Sequence, residues 1–331
     1  MSSQLSSKTK VLIVGFGAMG RNHARVLSRN ENFEVVGVFD PFQEALIRDF
    51  GLSSIEELSS FLSVNELDYA VIATPTSLHR ELAEVLAASH IPTLVEKPLA
   101  GTVAEATSIE RAFEATSTPC FVGHVERFNP ALMALSEKVS AGVLGNIFQI
   151  STFRHGPFTS RISDVGVGFD LLSHDVDTVL WTTQQKYSKL LGVAKVHSSG
   201  LHEDALEAIG SLESGITVTH STNRVSPSKR RQTFVWGDNG MLLADSLKSE
   251  LVLFANGEYQ QPTNLDPATI FRGMTVGDAT TFALSHTEPL AGEHLAIRHF
   301  LQTGDVGKLA TGSQGLEVVR VVEELLSSID N

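Results

Sequence analysis

The first 123 residues alternate short apolar runs with amphipathic segments, which is the pattern of strands covered on both faces and joined by helices. Val11–Val14 is a continuous apolar run, and a helix is predicted from Ala18 to Arg29. Further strands are predicted at Phe33–Phe39, Tyr69–Ala73, Leu94–Val95 and Pro119–Val122, and further helices at Ala45–Asp49, Ile55–Leu62 and from Ser77 to about Ala88. This alternation predicts a doubly wound parallel sheet with right-handed crossovers.

Beyond Gly123 the hydrophobic period changes to two, which is typical of antiparallel strands with one covered face. The alternating segments are Ile147–Phe153, Ala205–Leu212, Ile216–Thr222 and Gln232–Trp236, and helices are predicted at Leu171–Trp181, Pro289–Leu301 and Gln314–Ser327. We therefore predict an α/β chain with two domains. Residues 1–123 form the parallel-sheet domain, and residues 124–331 form an α+β domain with a mainly antiparallel sheet.

Composition narrows the class of protein. The 331 residues suit two domains, and 25 Lys and Arg against 38 Asp and Glu give a net charge of −13. This acidity argues against nucleic-acid binding through a basic surface. The single cysteine, Cys120, excludes an intramolecular disulfide, and no histidine or cysteine cluster has metal-ligand spacing. The polar start of the chain resembles neither a signal peptide nor a membrane span, so we expect a cytoplasmic protein that does not bind membranes.

A glycine-rich turn follows the first predicted strand and opens a helix. The six residues are Gly15, Phe16, Gly17, Ala18, Met19 and Gly20. Gly15 permits the tight turn, Gly17 lets the backbone approach a pyrophosphate, and Gly20 allows close packing of helix and strand. The turn predicts a dinucleotide-binding Rossmann domain, with the phosphates held at the helix N-terminus.

Asp40 ends the second predicted strand, twenty residues after Gly20. A carboxylate at this position accepts hydrogen bonds from the adenosine ribose and repels a 2′-phosphate, which favours NAD over NADP. The alternative is that Asp40 only forms a turn. Thr74 and Pro75 end a later strand, where they are expected to line the nicotinamide side of the cofactor. His79 is expected on the first turn of the next helix, either structural or in contact with the cofactor.

Lys97 follows an apolar strand and stands between Glu96 and Pro98 at the cofactor edge of the sheet. Its ammonium can hydrogen-bond a substrate oxygen and carry a proton while a hydride moves to nicotinamide. Taken alone, Lys97 would be read as a solvated lysine at a strand end. The neighbouring Glu96 and the change from strand to loop favour a catalytic amine, and we place both residues among the expected cofactor contacts.

Asp170, His174 and Asp177 share one face of a predicted helix, at positions i, i+4 and i+7. A carboxylate one turn from an imidazole can orient the imidazole or a substrate. An unperturbed imidazole has a pKa near ~6.5 and suits a proton shuttle at neutral pH. The alternative is that Asp170 caps the helix and His174 is a satisfied core histidine.

The combination of these motifs resembles the Gfo/Idh/MocA family of NAD(P)-dependent sugar and cyclitol dehydrogenases. The resemblance rests on the glycine turn with His23, Thr74-Pro75 with His79, Glu96-Lys97-Pro98, Gly123 with Arg127-Phe128, and Asp170 with His174. It implies a Rossmann domain followed by a domain with a large open sheet, assembled into homodimers or homotetramers. It also implies that Lys97, Asp170 and His174 are catalytic and bind substrate, and that the Lys97–Pro98 bond is cis. Many members have Gly where this chain has Leu172, which affects the expected geometry of His174.

A narrower resemblance concerns the substrate. The segments Gly123–Pro130, Arg154–Ile162 and Asp164–Val167 are similar to those of members that act at C3 of UDP-N-acetylglucosamine or its uronic acid. Arg127, Arg154 and Arg161 are therefore expected to bind substrate, since arginine forks suit a diphosphate or carboxylate. Alternatively, Arg154 and Arg161 are rim charges. The sequence thus predicts an NAD-dependent dehydrogenase of a nucleotide-linked sugar, with a free-sugar or myo-inositol dehydrogenase and a non-catalytic NAD-dependent sensor as alternatives.

Overall fold

A computed structural model describes residues 8–158, 165–197, 202–257, 277–285 and 287–329. The chain divides into two compact units. Unit 1 comprises Met1–Phe128 and Glu288–Glu324, and unit 2 comprises Asn129–Thr287 and Leu325–Asn331. No helix within the described ranges is both long and apolar enough to span a membrane.

Unit 1 is built on a six-stranded sheet. Its strands are β1 (Thr9–Val14), β2 (Phe33–Phe39), β3 (Tyr69–Ile72), β4 (Thr93–Val95), β5 (Cys120–Val122) and β14 (Ala310–Thr311), in the order β14-β5-β4-β3-β1-β2. β1 to β5 pair in parallel, and β14 runs antiparallel to β5. Residues 11–14 of β1 are apolar and buried and all four side chains of β3 are buried, because helices cover both faces of such a sheet. The predicted doubly wound parallel sheet is therefore confirmed.

The helices of unit 1 follow the strands, as the βα alternation predicts. They are α1 (Ala18–Ser28), α2 (Glu44–Asp49), α3 (Leu58–Val64), α4 (His79–Ala88), α5 (Val103–Thr116) and α8 (Pro289–Thr303). Short 3₁₀ turns span Thr76–Leu78 and Val125–Phe128. The predicted helix from Ser77 begins with the first of these turns, and the cap of α4 is Leu78 rather than Ser77.

Unit 2 contains an eight-stranded sheet. Its strands are β6 (Ile147–His155), β7 (Tyr187–Lys195), β8 (Ala205–Leu212), β9 (Thr217–Asn223), β10 (Arg230–Gly237), β11 (Gly240–Asp245), β12 (Glu250–Ala255) and β13 (Ala279–Thr281), in the order β13-β12-β11-β10-β6-β9-β8-β7. All neighbours are antiparallel except β6 and β9, which confirms the mainly antiparallel sheet. Apolar residues of α6 (Pro130–Ser140) and α7 (Ser173–Thr183) form a core with one face of it. The last helix, α9, spans Gly312–Ile329.

The units differ from the sequence-based boundary at the end of the chain. The sequence assigned all of residues 124–331 to the second domain, whereas Glu288–Glu324 belongs to unit 1. Two contacts explain this placement. β14 extends the parallel sheet by pairing with β5, and Ile297 and Leu309 are buried in the same core cluster as Val11.

Candidate active site

The glycine turn between β1 and α1 shows three different uses of glycine. Gly15 has φ +95°, and a Cβ there would lie 2.7 Å from the carbonyl of Ala73. A Cβ on Gly20 would lie 2.0 Å from the Gly15 carbonyl oxygen, so helix and turn touch through backbone alone. Gly17 is exposed, and a Cβ there would meet nothing within 4 Å. Packing therefore requires glycine at positions 15 and 20, whereas Gly17 leaves open space beside the helix end.

The start of α1 fits a bound pyrophosphate. Its N-cap, Gly17, supplies no side-chain hydrogen bond, and the first turn carries no acidic residue. The first amide groups of a helix lack intrahelical partners and attract anions. The Phe16 side chain contributes to this site only by packing, because its ring is fully buried and contacts Phe50 edge to face at 5.2 Å. Met19 is partly buried against the same core.

Asp40 is fixed beside the glycine turn by two backbone groups. Its Oδ2 accepts a hydrogen bond from the Phe16 N–H at 2.7 Å, and its Oδ1 accepts one from the Phe42 N–H at 2.9 Å. Asp40 is half-buried. This arrangement fits the predicted ribose contact, and it also makes Asp40 part of the turn itself.

Two loops at the carboxyl ends of β3 and β4 are joined by His79. Its Nε2 lies 3.1 Å from the Thr74 carbonyl oxygen, and its Nδ1 lies 3.1 Å from that of Pro98. Burial lowers the pKa of His79 below its usual value, although the neighbouring carbonyls act in the opposite direction. The ring is buried in the protein, so its contribution to a cofactor site passes through the loops that it connects.

Thr74 offers a polar atom for a ligand. Its Oγ1 is buried and has no hydrogen-bond partner within the part of the chain that the structure describes. Buried hydroxyls are normally hydrogen-bonded, so such an atom at the carboxyl edge of a parallel sheet fits a bound dinucleotide. The neighbouring Pro75 is exposed. Together with the open space at Gly17, this atom supports the fit of NAD to unit 1.

Lys97 is half-buried and is the second residue after β4. Its backbone N–H donates to Glu96 Oε2 at 3.1 Å, and the Lys97–Pro98 peptide bond is cis, as the family resemblance implies. Glu96 Oε1 lies 2.9 Å from His23 Nε2. Burial alone would raise the pKa of Glu96, but the hydrogen bond from His23 and the charges of His23 and Lys97 outweigh it and lower that pKa.

The Glu96 carboxylate therefore faces protein groups. Both of its oxygens have protein donors, and a Cβ on Gly123 would lie 3.1 Å from its Cδ, so glycine makes room for it. Direct contact of Glu96 with the cofactor stays a prediction. In this structure its contribution to the site is to hold the backbone of Lys97.

In unit 2, Asp170 and His174 lie where two helix types meet. Gly168–Leu172 forms a π turn, and α7 continues from Ser173. The predicted common face therefore crosses a change of helical period, a feature that is frequent at functional sites. Asp170 is buried and its N–H donates to the Gly166 carbonyl at 2.9 Å, while His174 is half-buried. Leu172, which stands where many relatives have Gly, is fully buried in unit 2.

The three arginines predicted to bind substrate have different surroundings. Arg127 is buried, and its Nη1 donates to Gln314 Oε1 at 2.8 Å and to the Leu309 carbonyl at 3.4 Å. Arg154 is buried in an ion pair with Asp175, with Nε 2.9 Å from Oδ1. Arg161 lies outside the described residues. The rim-charge alternative does not describe Arg154, and the substrate contacts of all three stay predictions.

Two family matches cover most of the chain. Residues 9–124 match the Gfo/Idh/MocA oxidoreductase family with an NAD-binding Rossmann fold, and residues 132–243 match the Gfo/Idh/MocA C-terminal domain. The rhizopine catabolism protein MocA of Rhizobium meliloti is 28% identical over 69% of this chain and 75% of its own length. The UDP-N-acetylglucosamine 3-dehydrogenase of Acidithiobacillus ferrooxidans is 29% identical over 74% and 76%. Inositol 2-dehydrogenase of Rhizobium meliloti is 22% identical over 96% of both chains.

Solved structures share the whole fold. That of the Acidithiobacillus ferrooxidans UDP-N-acetylglucosamine 3-dehydrogenase superposes with a TM-score of 0.83 at 21% identity and covers 98% of both chains. An oxidoreductase from Agrobacterium radiobacter, in complex with NAD⁺, L-tartaric acid and magnesium, has a TM-score of 0.82 at 18% identity and covers 98% of this chain and 97% of its own. With both of its domains matched, the chain belongs to the Gfo/Idh/MocA family of NAD(P)-dependent dehydrogenases.

Proposed function

We propose that this protein oxidises a secondary alcohol of a sugar, C3 of a UDP-linked N-acetylated sugar, with NAD as the acceptor. The observation that carries the proposal is Lys97, a half-buried residue just beyond the carboxyl end of β4 whose backbone N–H is held by the ionised Glu96. A lysine used only for solubility needs no such support. Because a sensor has no use for a positioned proton carrier, Lys97 favours the enzyme over the non-catalytic alternative.

Each proposed catalytic residue has a defined task. The Lys97 ammonium hydrogen-bonds the reacting oxygen and stabilises its alkoxide character as the proton leaves. Lys97 and His174 together handle the proton, and Asp170 binds a neighbouring hydroxyl and orients the substrate. Bound NAD supplies the acceptor for the hydride. Gly17 and the start of α1 hold its phosphates, Asp40 binds the ribose, and Thr74 contacts the nicotinamide side.

Two observations bear on the choice of sugar. The relatives include an enzyme named for UDP-N-acetylglucosamine and one named for inositol, so similarity alone leaves both classes open. The ion pair of Arg154 Nε with Asp175 engages one of the groups that are expected to bind the diphosphate. A free-sugar or myo-inositol dehydrogenase is therefore the second candidate, and the UDP-sugar proposal depends on the segment resemblance and on Arg161.

The deciding experiment is NAD reduction, followed at 340 nm, with UDP-N-acetylglucosamine, its uronic acid, glucose and myo-inositol. The ketone should be trapped or the NADH recycled, because the equilibrium of such oxidations can favour the alcohol. Reduction of NAD with the UDP-sugars alone supports the proposal. Reduction of NAD with glucose or myo-inositol alone favours the free-sugar or myo-inositol dehydrogenase instead. Lys97→Met should still bind NAD and lose turnover. If the wild-type protein binds NAD but oxidises none of these compounds, the result favours the non-catalytic sensor.

We also propose that the protein is a homodimer or homotetramer. Leu191 and Ile209 pair across β7 and β8, and Val193 lies on the same face two residues along. All three side chains are exposed. An apolar group of this kind at the end of a sheet suits a second copy of the chain.

A further inference from the structure

Four buried side chains form a continuous hydrogen-bonded chain in unit 1 behind Lys97. From Glu96, the chain passes to His23 at 2.9 Å, from His23 Nδ1 to His294 Nε2 at 2.9 Å, and from His294 Nδ1 to the Tyr69 hydroxyl at 2.8 Å. His23, Tyr69 and His294 are 0% exposed. The hydride transfer itself does not require His294 or Tyr69, yet both occupy core positions.

The members of this chain come from four different elements. His23 lies on α1, Tyr69 begins β3, Glu96 follows β4, and His294 lies on α8. On α8 the other buried positions include Leu290 and Ile297, so an imidazole occupies a place that packing alone would give to an apolar side chain. Burying polar groups is unfavourable unless all are hydrogen-bonded, and a satisfied network fixes one arrangement.

The protonation states of three groups fix part of the network. Burial lowers the pKa of His294 well below its usual range, with a further effect from His23, so the ring is neutral. Burial raises the pKa of Tyr69 well above its usual range, so the hydroxyl keeps its proton. Because Glu96 is ionised, His23 Nε2–H donates to its Oε1, and two further hydrogen bonds join His23 Nδ1 to His294 Nε2 and His294 Nδ1 to the Tyr69 hydroxyl.

We propose that His294 and Tyr69 are positioning residues for Lys97, acting through His23 and Glu96. The inference rests on the proposed role of Lys97 as the catalytic amine. His23 fixes one Glu96 oxygen, and the other oxygen accepts the Lys97 N–H at 3.1 Å. His294 on α8 therefore sets the rotation of the Glu96 carboxylate. Through that carboxylate it also sets the position of the backbone from which the Lys97 side chain extends.

Positioning suits this chain of groups better than proton transport. A proton path must reach a group that exchanges with solvent, whereas this chain ends on the fully buried Tyr69. The acidic neighbours Glu293 and Asp68 further oppose ionisation of that hydroxyl. An apolar side chain in place of His294 would leave His23 Nδ1 without its hydrogen-bond partner, so the His23 ring would turn and release Glu96.

The test compares three variants on α8 and β3 with a packing control. His294→Leu removes the hydrogen-bonding group next to His23, His294→Gln keeps an amide that can donate or accept near the Nε2 position, and Tyr69→Phe removes only the terminal hydroxyl. Ile297 lies one turn further along α8, is almost as deeply buried and has no group that can hydrogen-bond to the network, so Ile297→Ala is the packing control. Kinetics use the panel sugar that wild type oxidises fastest, together with NAD.

We expect kcat to fall by about 10- to 100-fold in His294→Leu and less in Tyr69→Phe, with KM for NAD within about 2-fold of wild type. His294→Gln should recover most of kcat. Ile297→Ala should lower Tm and leave kcat near wild type. Unchanged kcat in His294→Leu, or an equal loss in Ile297→Ala, would overturn the proposal. If Lys97→Met itself keeps full kcat, the proposed function fails instead.

A second measurement is independent of turnover. In protein without cofactor, trace acetylation by acetic anhydride compares the Lys97 amine with the exposed amine of Lys248 by mass spectrometry. Release of Glu96 should raise the relative reactivity of Lys97 at least ~3-fold in His294→Leu and in Tyr69→Phe, but not in Ile297→Ala. If His294→Leu does not fold, Tyr69→Phe decides. Equal Lys97 reactivity in wild type and Tyr69→Phe would then refute the positioning role.

Discussion

Arg154→Met tests whether Arg154 is structural or a substrate ligand. Its Nε lies 2.9 Å from Asp175 Oδ1, and each side chain is 4% exposed. Breaking an exposed pair changes stability by about 0–1 kcal/mol, whereas removing one partner of a buried pair costs about 3–5 kcal/mol because the other charge stays buried and unpaired. The burial places this pair in the second class. The ratio of folded to unfolded unit 2 should therefore fall by roughly 10² to several times 10³.

The chain offers a specific probe for this measurement. Its two tryptophans, Trp181 and Trp236, both lie in unit 2, so their fluorescence during urea unfolding reports that unit. The matched control is Arg154→Met combined with Asp175→Leu, which replaces both charges by apolar groups. We expect this double variant to be more stable than Arg154→Met, with a coupling energy of at least ~2 kcal/mol.

The opposing result is equally clear. If Arg154 binds a substrate diphosphate and contributes little to stability, Arg154→Met will raise KM for the UDP-sugar more than about 10-fold and leave the urea midpoint unchanged. Additive effects of the two substitutions, within ~0.5 kcal/mol, would also contradict the buried-pair reasoning.

Four further predictions concern other parts of the chain. Asp40→Ser should raise kcat/KM with NADP at least ~10-fold relative to NAD, because the repelling carboxylate is lost; an unchanged ratio would refute its role. Gly17→Ala should keep the wild-type Tm, since its Cβ meets no protein atom within 4 Å, yet weaken NAD binding about 10-fold or more by calorimetry. Folding lowers the pKa of Glu96 below its usual value of 4.5, so its ionised form stabilises the protein above that pH and the contribution disappears in acid. The difference in free energy of unfolding between wild type and Glu96→Gln should therefore shrink as the pH falls below 4.5. A difference that grows in acid would show that folding raises this pKa instead. Ile209→Lys should reduce the mass measured by light scattering to that of the monomer, and an unchanged mass would place the interface elsewhere.

The hydrophobic pattern was sufficient to predict the strands whose apolar residues follow a regular local spacing. The predicted strand Ala205–Leu212 is β8, and Val11–Val14 lies within β1. The pattern missed β7, β11 and β12, in which apolar residues are less regularly spaced, and β13 and β14, which are too short to show a period. It also could not assign Glu288–Glu324 to unit 1, because that placement depends on pairing with a strand almost two hundred residues earlier.

The parts of the candidate site that are contiguous in sequence were predictable, and those that join distant residues were not. The glycine turn and Glu96-Lys97-Pro98 are contiguous in sequence, so their positions at the sheet edge could be read directly. The partners that hold Glu96 could not, because His23 and His294 are 271 positions apart. A signal was nevertheless present, since Glu293 and His294 interrupt an apolar helix face at buried positions. The roles of Lys97, Asp170 and His174 stay predictions.

The discontinuity of unit 1 has a consequence for synthesis. Phe128 and Glu288 are roughly 160 residues apart, which a ribosome adds in about 8 to 30 seconds. During that interval the edge of β5 lacks β14, and His23 lacks its partner on α8. Exposed strand edges invite pairing with other chains, so the newly made Rossmann sheet is vulnerable to aggregation until the last forty or so residues have emerged.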